Sequence, residues 1–467
     1  MVQDLSRRRY GIVGGGLSGL AAAWYLQERG AETHVFESAA ELGGRALSGR
    51  LGERTVTLGG KNIGRSYSRF RSFAADLGTQ SYDYFGINSS RVIDGRTITF
   101  DSKNRRGMLK HLSGVPASEI ARVGKILFTI RRNQDARFLS SESCQALTRR
   151  YGDDTLEDVF SSRLRDLLIR SLTVRVSAAE PDEVPMANVF PYLSMLSDSY
   201  DQLSEGMQAV ISAAATRSKV ETATTVTRLL VDHDRVTGVE VSGPADTQRR
   251  EGFDGIVIAT HAGAAASLLA PTAPAGAVLL KEVRYFPLAV LLVEYEREVF
   301  DSDVRAIVFG AEEALSNAGA YGAGDLKTVR YTFSGRRARE LAEQEPDPER
   351  LAAMAEKTLA AHANVEGNPR RALLAHRFSP GLCAYHPDQA GFLRRIESAV
   401  AAIPGLALSG DYLRGCSIEA CFAASEQAVA RIRPMGGWQN AQDAGPRPAP
   451  VDPDPRAPAA LQPHRHP

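Results

Sequence analysis

The stretch from Tyr10 to Glu37 limits the possible folds more than any other part of the chain. A short apolar run, Tyr10 to Val13, meets Gly14-Gly15-Gly16-Leu17-Ser18-Gly19. Helical periodicity then runs from Leu17 to Arg29, with Gly30 placed to end it. Glu32 to Phe36 follow as a second strand that finishes at Glu37. Strand, glycine turn, helix and strand in this order open a dinucleotide-binding βαβ unit. In the G-x-G-x-x-G pattern Gly14 permits the tight turn, Gly16 lets backbone approach a pyrophosphate, and Gly19 lets helix close on strand. The phosphates are expected at the positive end of the helix, over Leu17 and Ser18. Glu37, eighteen residues beyond Gly19, can accept hydrogen bonds from ribose hydroxyls, and its charge disfavours a 2′-phosphate. FAD or NAD remains, and Gly43-Gly44-Arg45 favours FAD, because a second close backbone approach plus a guanidinium suits an extended pyrophosphate.

The remaining chain predicts an α/β protein in which a Rossmann-like FAD-binding domain is interleaved with an α+β substrate-binding domain. A helix from Met207 to Ala215, a strand near Val220, the hairpin TRLLVDHDRVTGVEVSG and the buried strand GIVIAT continue the nucleotide domain after a long insert. The expected FAD domain is 1–80, 201–280 and 386–435. The expected substrate domain is 81–200, read as mainly helical, plus 281–385, which carries strands such as LAVLLVEYE and TVRYTF. Residues 436–467 are proline-rich and expected to be a disordered tail, with His464 and His466 in solvent.

Lys+Arg 56 against Asp+Glu 55 gives a net charge of +1, which argues against an electrostatic nucleic-acid binder. The most continuous apolar run, FPLAVLLVEY, is too short to span a bilayer, and no secretory signal is read at the N-terminus. Cys144, Cys383, Cys416 and Cys421 indicate neither a disulfide framework nor a metal site, so a cytoplasmic chain is expected. Eight lysines against forty-eight arginines fit a GC-rich bacterial genome.

Over most of residues 8–433 the sequence resembles the flavin amine oxidase superfamily, which includes monoamine oxidases, protoporphyrinogen oxidases and carotenoid-type desaturases. The segment YGIVGGGLSGLAAAWYLQERGAETHVFESAAELGGRALSG is similar to that superfamily's N-terminal FAD signature, and TVTLGGKNIG, with Gly59 and Gly60, to the loop that runs beside the flavin. LSEGMQAVISAAA through GIVIATHAGAAASLL resembles the middle FAD segment, which implies that Val226 holds the adenine side by its backbone. GLALSGDYLRGCSIEACFAASEQAVARI resembles the closing block, nearest to protoporphyrinogen oxidases. This implies Gly410-Asp411 near the pyrophosphate and ribityl chain, Ser417 and Ile418 also at the cofactor, and a helix from about Glu419 with its N-terminus aimed at the flavin ring. Asp388-Gln389 stand where those enzymes carry Gly-His.

The resemblance implies a non-covalent FAD enzyme that removes hydride from a C–N or C–C unit of a small organic substrate. Protoporphyrinogen-type or isoprenoid desaturation is an alternative, and tailoring chemistry in bacterial specialised metabolism fits the composition. Dioxygen or another acceptor is expected to reoxidise the flavin, because no nicotinamide site accompanies the FAD pattern. A non-redox flavin mutase and a flavin-free binding protein share this fold; intact Gly43-Gly44-Arg45 and Gly410-Asp411 argue against the latter. Lys61, Tyr385, His386 and Tyr412 are pocket candidates, and His261 faces the cofactor or caps the strand GIVIAT. Cys416 and Cys421 are read as structural. No catalytic side chain and no oligomeric state is assigned.

Overall fold

A computed structural model describes residues 5–85, 89–100, 111–244, 247–301 and 304–432. The tail expected at 436–467, with His464 and His466, lies outside the described residues. Strand β1 (Arg9–Val13), helix α1 (Leu17–Gln27) and strand β2 (Glu32–Phe36) form the opening unit. β1 is central in a five-stranded sheet ordered Lys219–Glu221, β2, β1, Gly255–Ile258 and Leu406–Leu408, all parallel. Both faces of a parallel sheet must be covered, so these strands read as continuous apolar runs. Ile12, Val35 and Val257 pack with Ala22 and Leu26 of α1 and with Val429 of helix Ile418–Arg431. Val13, Phe36, Ile256 and Ile258 face the opposite way, against Val239 and Val241 of an antiparallel three-stranded sheet and Ala265 of helix Ala262–Leu269.

A second body is built on a seven-stranded sheet: Arg370–Ala384, Arg284–Tyr295, Asp325–Phe333, Asn317–Gly322, Ala306–Val308, Ser89–Ile93 and Arg96–Phe100. Along strand Arg284–Tyr295 successive side chains alternate between its two faces. Leu291, Val293 and Tyr295 enter one core with the helices Arg336–Gln344 and Pro348–Leu359, whereas Val290 and Leu292 meet Leu51, Val56 and Leu58. The latter residues follow closely on Gly43-Gly44-Arg45. This packing seats the second sheet over the end of the molecule that carries the glycine turns.

The insert 81–200 departs from the mainly helical expectation at its ends, where Tyr82–Tyr84 pairs with Tyr200–Leu203 and where 89–93 and 96–100 form a hairpin that extends the large sheet. Its two turn residues, Asp94 and Gly95, have φ of 51° and 72°. Asp-Gly between Val92-Ile93 and Arg96-Thr97-Ile98 is a strong two-residue turn signal, and there it outweighs the helical pattern of the insert. The rest of the insert carries helices including Ala117–Arg132, Glu142–Tyr151 and Arg170–Val176.

Candidate functional site

The turn between β1 and α1 shows why three glycines are needed. Gly14 sits at φ +105° and donates its N–H to the Phe36 carbonyl at 2.8 Å. A Cβ on Gly19 would lie 1.9 Å from the Gly14 carbonyl oxygen, so helix and turn touch backbone to backbone. α1 begins after Gly16 with no side-chain cap and no acidic residue in its first turn. The first N–H groups, at Leu17, Ser18 and Gly19, are therefore left for an outside anion.

The second glycine pair completes the same surface. Gly43 donates to the Gly15 carbonyl at 3.0 Å, and a Cβ on Gly44 would lie 3.4 Å from the Gly16 Cα. Further along, Gly60 donates to the Arg45 carbonyl at 2.9 Å, and a Cβ on Gly59 would lie 2.0 Å from that oxygen. Glu37 accepts the Gly15 N–H at 2.7 Å and the Ala39 N–H at 2.8 Å, so the acid itself shapes the turn. Thr224 donates to the Glu37 carbonyl at 2.9 Å, which brings the start of strand Thr225–Asp232, with buried Val226, to this edge. Arg45 and Asp411, read separately in the sequence, are bidentate partners: Nη2 donates to Oδ1 at 2.8 Å and Nη1 to Oδ2. Asp411 follows Gly410, whose φ is +152°.

Beyond Arg45 the surface leads into a cavity of about 310 Å³. One wall is Gly59, Gly60 and Lys61, and beside it lie Cys416, Ser417 and Ile418. Ser417 caps helix Ile418–Arg431 by accepting the Ala420 N–H at 3.0 Å. The positive end of that helix thus borders the cavity. Lys61 donates to the Tyr321 carbonyl and stands 3.5 Å from the centre of the Tyr321 ring. Burial, reinforced by the Arg330 charge, holds its ammonium well below the usual lysine value. Burial also pushes the thiols up, Cys416 to about 12 and Cys421 to about 11.

The other pocket candidates are not brought to Lys61. Tyr385, His386 and Tyr412 line a separate cavity of about 80 Å³, together with Cys383 and Gln389. His386 Nδ1 accepts the Asp388 N–H at 3.0 Å, Asp388 caps helix Gln389–Ala401, and Gln389 donates to the Tyr412 carbonyl at 2.8 Å. Asp388 and Gln389 therefore hold a corner of the fold together. His261 caps helix Ala262–Leu269 through the Ala264 N–H at 3.3 Å, and burial followed by the Arg45 charge lowers its pKa. Sequence reasoning missed four cavity residues, Arg137, Arg175, Arg305 and Arg330. No local pattern marks them among forty-eight arginines.

His34, Glu221 and Glu251 offer three potential ligand atoms within 4.8 Å of one another. Arg249 pairs with both carboxylates, so the group reads as an ion-pair network. Among the described residues, no helix is long and apolar enough to cross a membrane.

Residues 17–433 match the family described as flavin containing amine oxidoreductase. The chain is 23% identical over 208 residues to protoporphyrinogen oxidase 2 of Arabidopsis thaliana, a stretch covering 44% of this chain and 39% of the relative. It is 26% identical over 224 residues to the putative flavin-containing monoamine oxidase AofH of Mycobacterium tuberculosis, covering 44% and 47%. These matches span less than half the length of either relative. The cyclohexylamine oxidase of Brevibacterium oxydans superposes with a TM-score of 0.68 at 18% identity, over 91% of this chain and 98% of that one. A putative protoporphyrinogen oxidase from Exiguobacterium gives 0.67 at 16%, with the same coverage. At such identities the likeness shows the fold alone, a Rossmann-like parallel-sheet domain joined to a second body. The donors and close approaches around Gly14–Gly19, Gly43–Arg45 and Gly59–Gly60 fit FAD.

Proposed function

The chain belongs to the flavin containing amine oxidoreductase family, and from that membership we propose that it is an FAD-dependent oxidase or dehydrogenase acting on a C–N or C–C unit of a small organic substrate. The observation that carries the reading is the continuity of one surface. Uncapped N–H groups of α1 lead through Gly43-Gly44-Arg45 to the cavity beside Gly59-Gly60-Lys61. In this reading Leu17, Ser18 and Gly19 hold the phosphates, Glu37 and the backbone at Val226 hold the adenosine, and Arg45 is fixed by Asp411. FAD, when bound, supplies the hydride acceptor. The end of helix Ile418–Arg431 stabilises negative charge at the cavity. The second sheet and the helical insert roof the site and exclude water. We take 1–80, 201–280 and 386–435 as the FAD-binding part and 81–200 with 281–385 as the substrate part. Dioxygen is the proposed acceptor. The four free cysteines suit a reducing compartment, and we place the protein in the cytoplasm.

The protein is expected to purify yellow and to release its flavin on acid precipitation. Anaerobic mixing with amines, amino acids and polyene precursors is expected to bleach the flavin in one two-electron step with the true substrate. A colourless protein that cannot be reconstituted would end this reading. Conversion of substrate with neither net flavin reduction nor acceptor consumption would replace it with an isomerase.

A further inference from the structure

Six cationic side chains line the large cavity, Arg45, Lys61, Arg137, Arg175, Arg305 and Arg330, and among the described residues no aspartate or glutamate does. Arg45 has its carboxylate, Asp411. The other five have none within ion-pairing distance among the described residues. Lys61 and Arg330 each donate to a backbone carbonyl, of Tyr321 and, at 3.2 Å, of Gly59. Arg137 donates to the hydroxyl and carbonyl of Ser66, at 2.5 and 3.2 Å. Among the described residues the half-buried Arg175 guanidinium has no hydrogen-bonded partner and opens on the cavity, and the Nε of Arg305 is buried without one. Burial lowers the pKa of Arg175 and brings Arg330 down to about 10.

Buried arginines that brace the fold are treated differently in this chain. Arg170, on the same helix as Arg175, is bidentate on Glu180 at 2.7 and 3.0 Å. Arg339 reaches Glu183 at 2.7 Å and the Ala178 carbonyl at 2.6 Å. Drawing a guanidinium from water without a partner costs several kcal/mol, so a cluster of such groups is a liability unless an anion arrives. The FAD pyrophosphate is not that anion, because its cradle lies at α1, whereas Arg137 and Arg175 come from the helical insert and Arg305 and Arg330 from the second body.

Building on the flavin reading, we infer that the substrate is an organic acid with two or more carboxylates, received by Arg175, Arg305 and Arg330. Its apolar body lies against Val174, Leu288 and Phe378 of the same cavity. Planar guanidinium groups match carboxylates in pairs of parallel hydrogen bonds. Several fixed cations in one low-dielectric cavity select multiply charged ligands over amines.

Calorimetric titration of the flavin-loaded protein with benzoate, isophthalate, trimesate, trimesamide and phenyl phosphate tests this. Affinity is expected to rise from benzoate to trimesate, to weaken in high salt, and to be absent for trimesamide. Arg175→Met and Arg305→Gln are each expected to weaken trimesate binding roughly tenfold or more at unchanged flavin content. Arg175→Met is also expected to raise the melting temperature, which loss of a structural arginine would lower. Trimesate binding no tighter than trimesamide, or unaltered in both variants, overturns the inference. Phenyl phosphate binding more tightly than benzoate overturns carboxylate as the group received. A colourless protein ends the flavin reading instead, and the same titrations on it still decide the anion site.

Discussion

In the nucleotide cradle Arg45 donates to both oxygens of Asp411, whereas in the cavity roof Arg175 finds no acceptor among the described residues. The cradle is self-satisfied: Glu37 accepts backbone N–H groups, glycine turns bond to one another, and what is left open is a set of N–H donors at the start of α1. The roof leaves charges open. A surface shaped for a permanent cofactor can complete its own bonding around it, because the cofactor's needs are fixed. A surface shaped for a ligand that comes and goes must keep its partners waiting, at a cost in stability.

The contrast breaks most severely if the cradle tolerates side chains. Gly59→Ala places a methyl 2.0 Å from the Arg45 carbonyl oxygen, a clash with backbone that is expected to cost more than about 3 kcal/mol and abolish flavin retention. Flavin content after gel filtration measures it, and full retention would show that the wall beside Lys61 yields. Next in size is Asp411→Asn, which removes the negative charge opposite Arg45 and leaves one amide oxygen where two carboxylate oxygens accepted. Arg45 is 32% exposed at the side chain, so the loss is set below that of a fully buried pair, at about 2–3 kcal/mol in denaturant unfolding. A change under about 1 kcal/mol would make Arg45 as independent as Arg175 and erase the difference between the regions.

Glu37→Ala removes the acceptor of two backbone N–H groups and, in the proposed complex, of ribose hydroxyls. FAD affinity is expected to fall by ten- to a hundredfold, about 1.5–3 kcal/mol, with unchanged calorimetric affinity counting against a ribose contact. The smallest effect concerns Cys416, on the border between cradle and roof. A thiol raised to about 12 is less ionised at neutral pH than a free one by about a thousandfold. Alkylation by iodoacetamide is expected to be slow at pH 7 and to keep climbing as the pH rises toward that value. Protection by trimesate would sharpen the comparison, and alkylation at the rate of a free thiol would contradict the burial.

The cradle was legible in the sequence because its parts act through backbone and through short spacings. Gly14, Gly16 and Gly19 are each demanded by a turn or a close approach, and Glu37 sits one strand away. The Asp94-Gly95 hairpin was equally local, yet the helical pattern of the insert concealed it. Lys61 could be placed near the cavity because it adjoins Gly59-Gly60. Tyr412 adjoins Gly410-Asp411 in sequence, yet it lines a separate cavity with Tyr385 and His386, which follow the strand ending at Ala384.

What the sequence determined by itself was the βαβ opening, the two glycine turns and the acid between them, since backbone conformation and helix ends are set by neighbours in the chain. Only the tertiary structure decided the charge of the cavity. Arg137, Arg175, Arg305 and Arg330 come from a 3₁₀ turn, a helix and two separate segments of the second body. Their potential is a sum over positions nearly two hundred residues apart. Strand register and helix packing bring them to one wall, and no spacing along the chain records that sum.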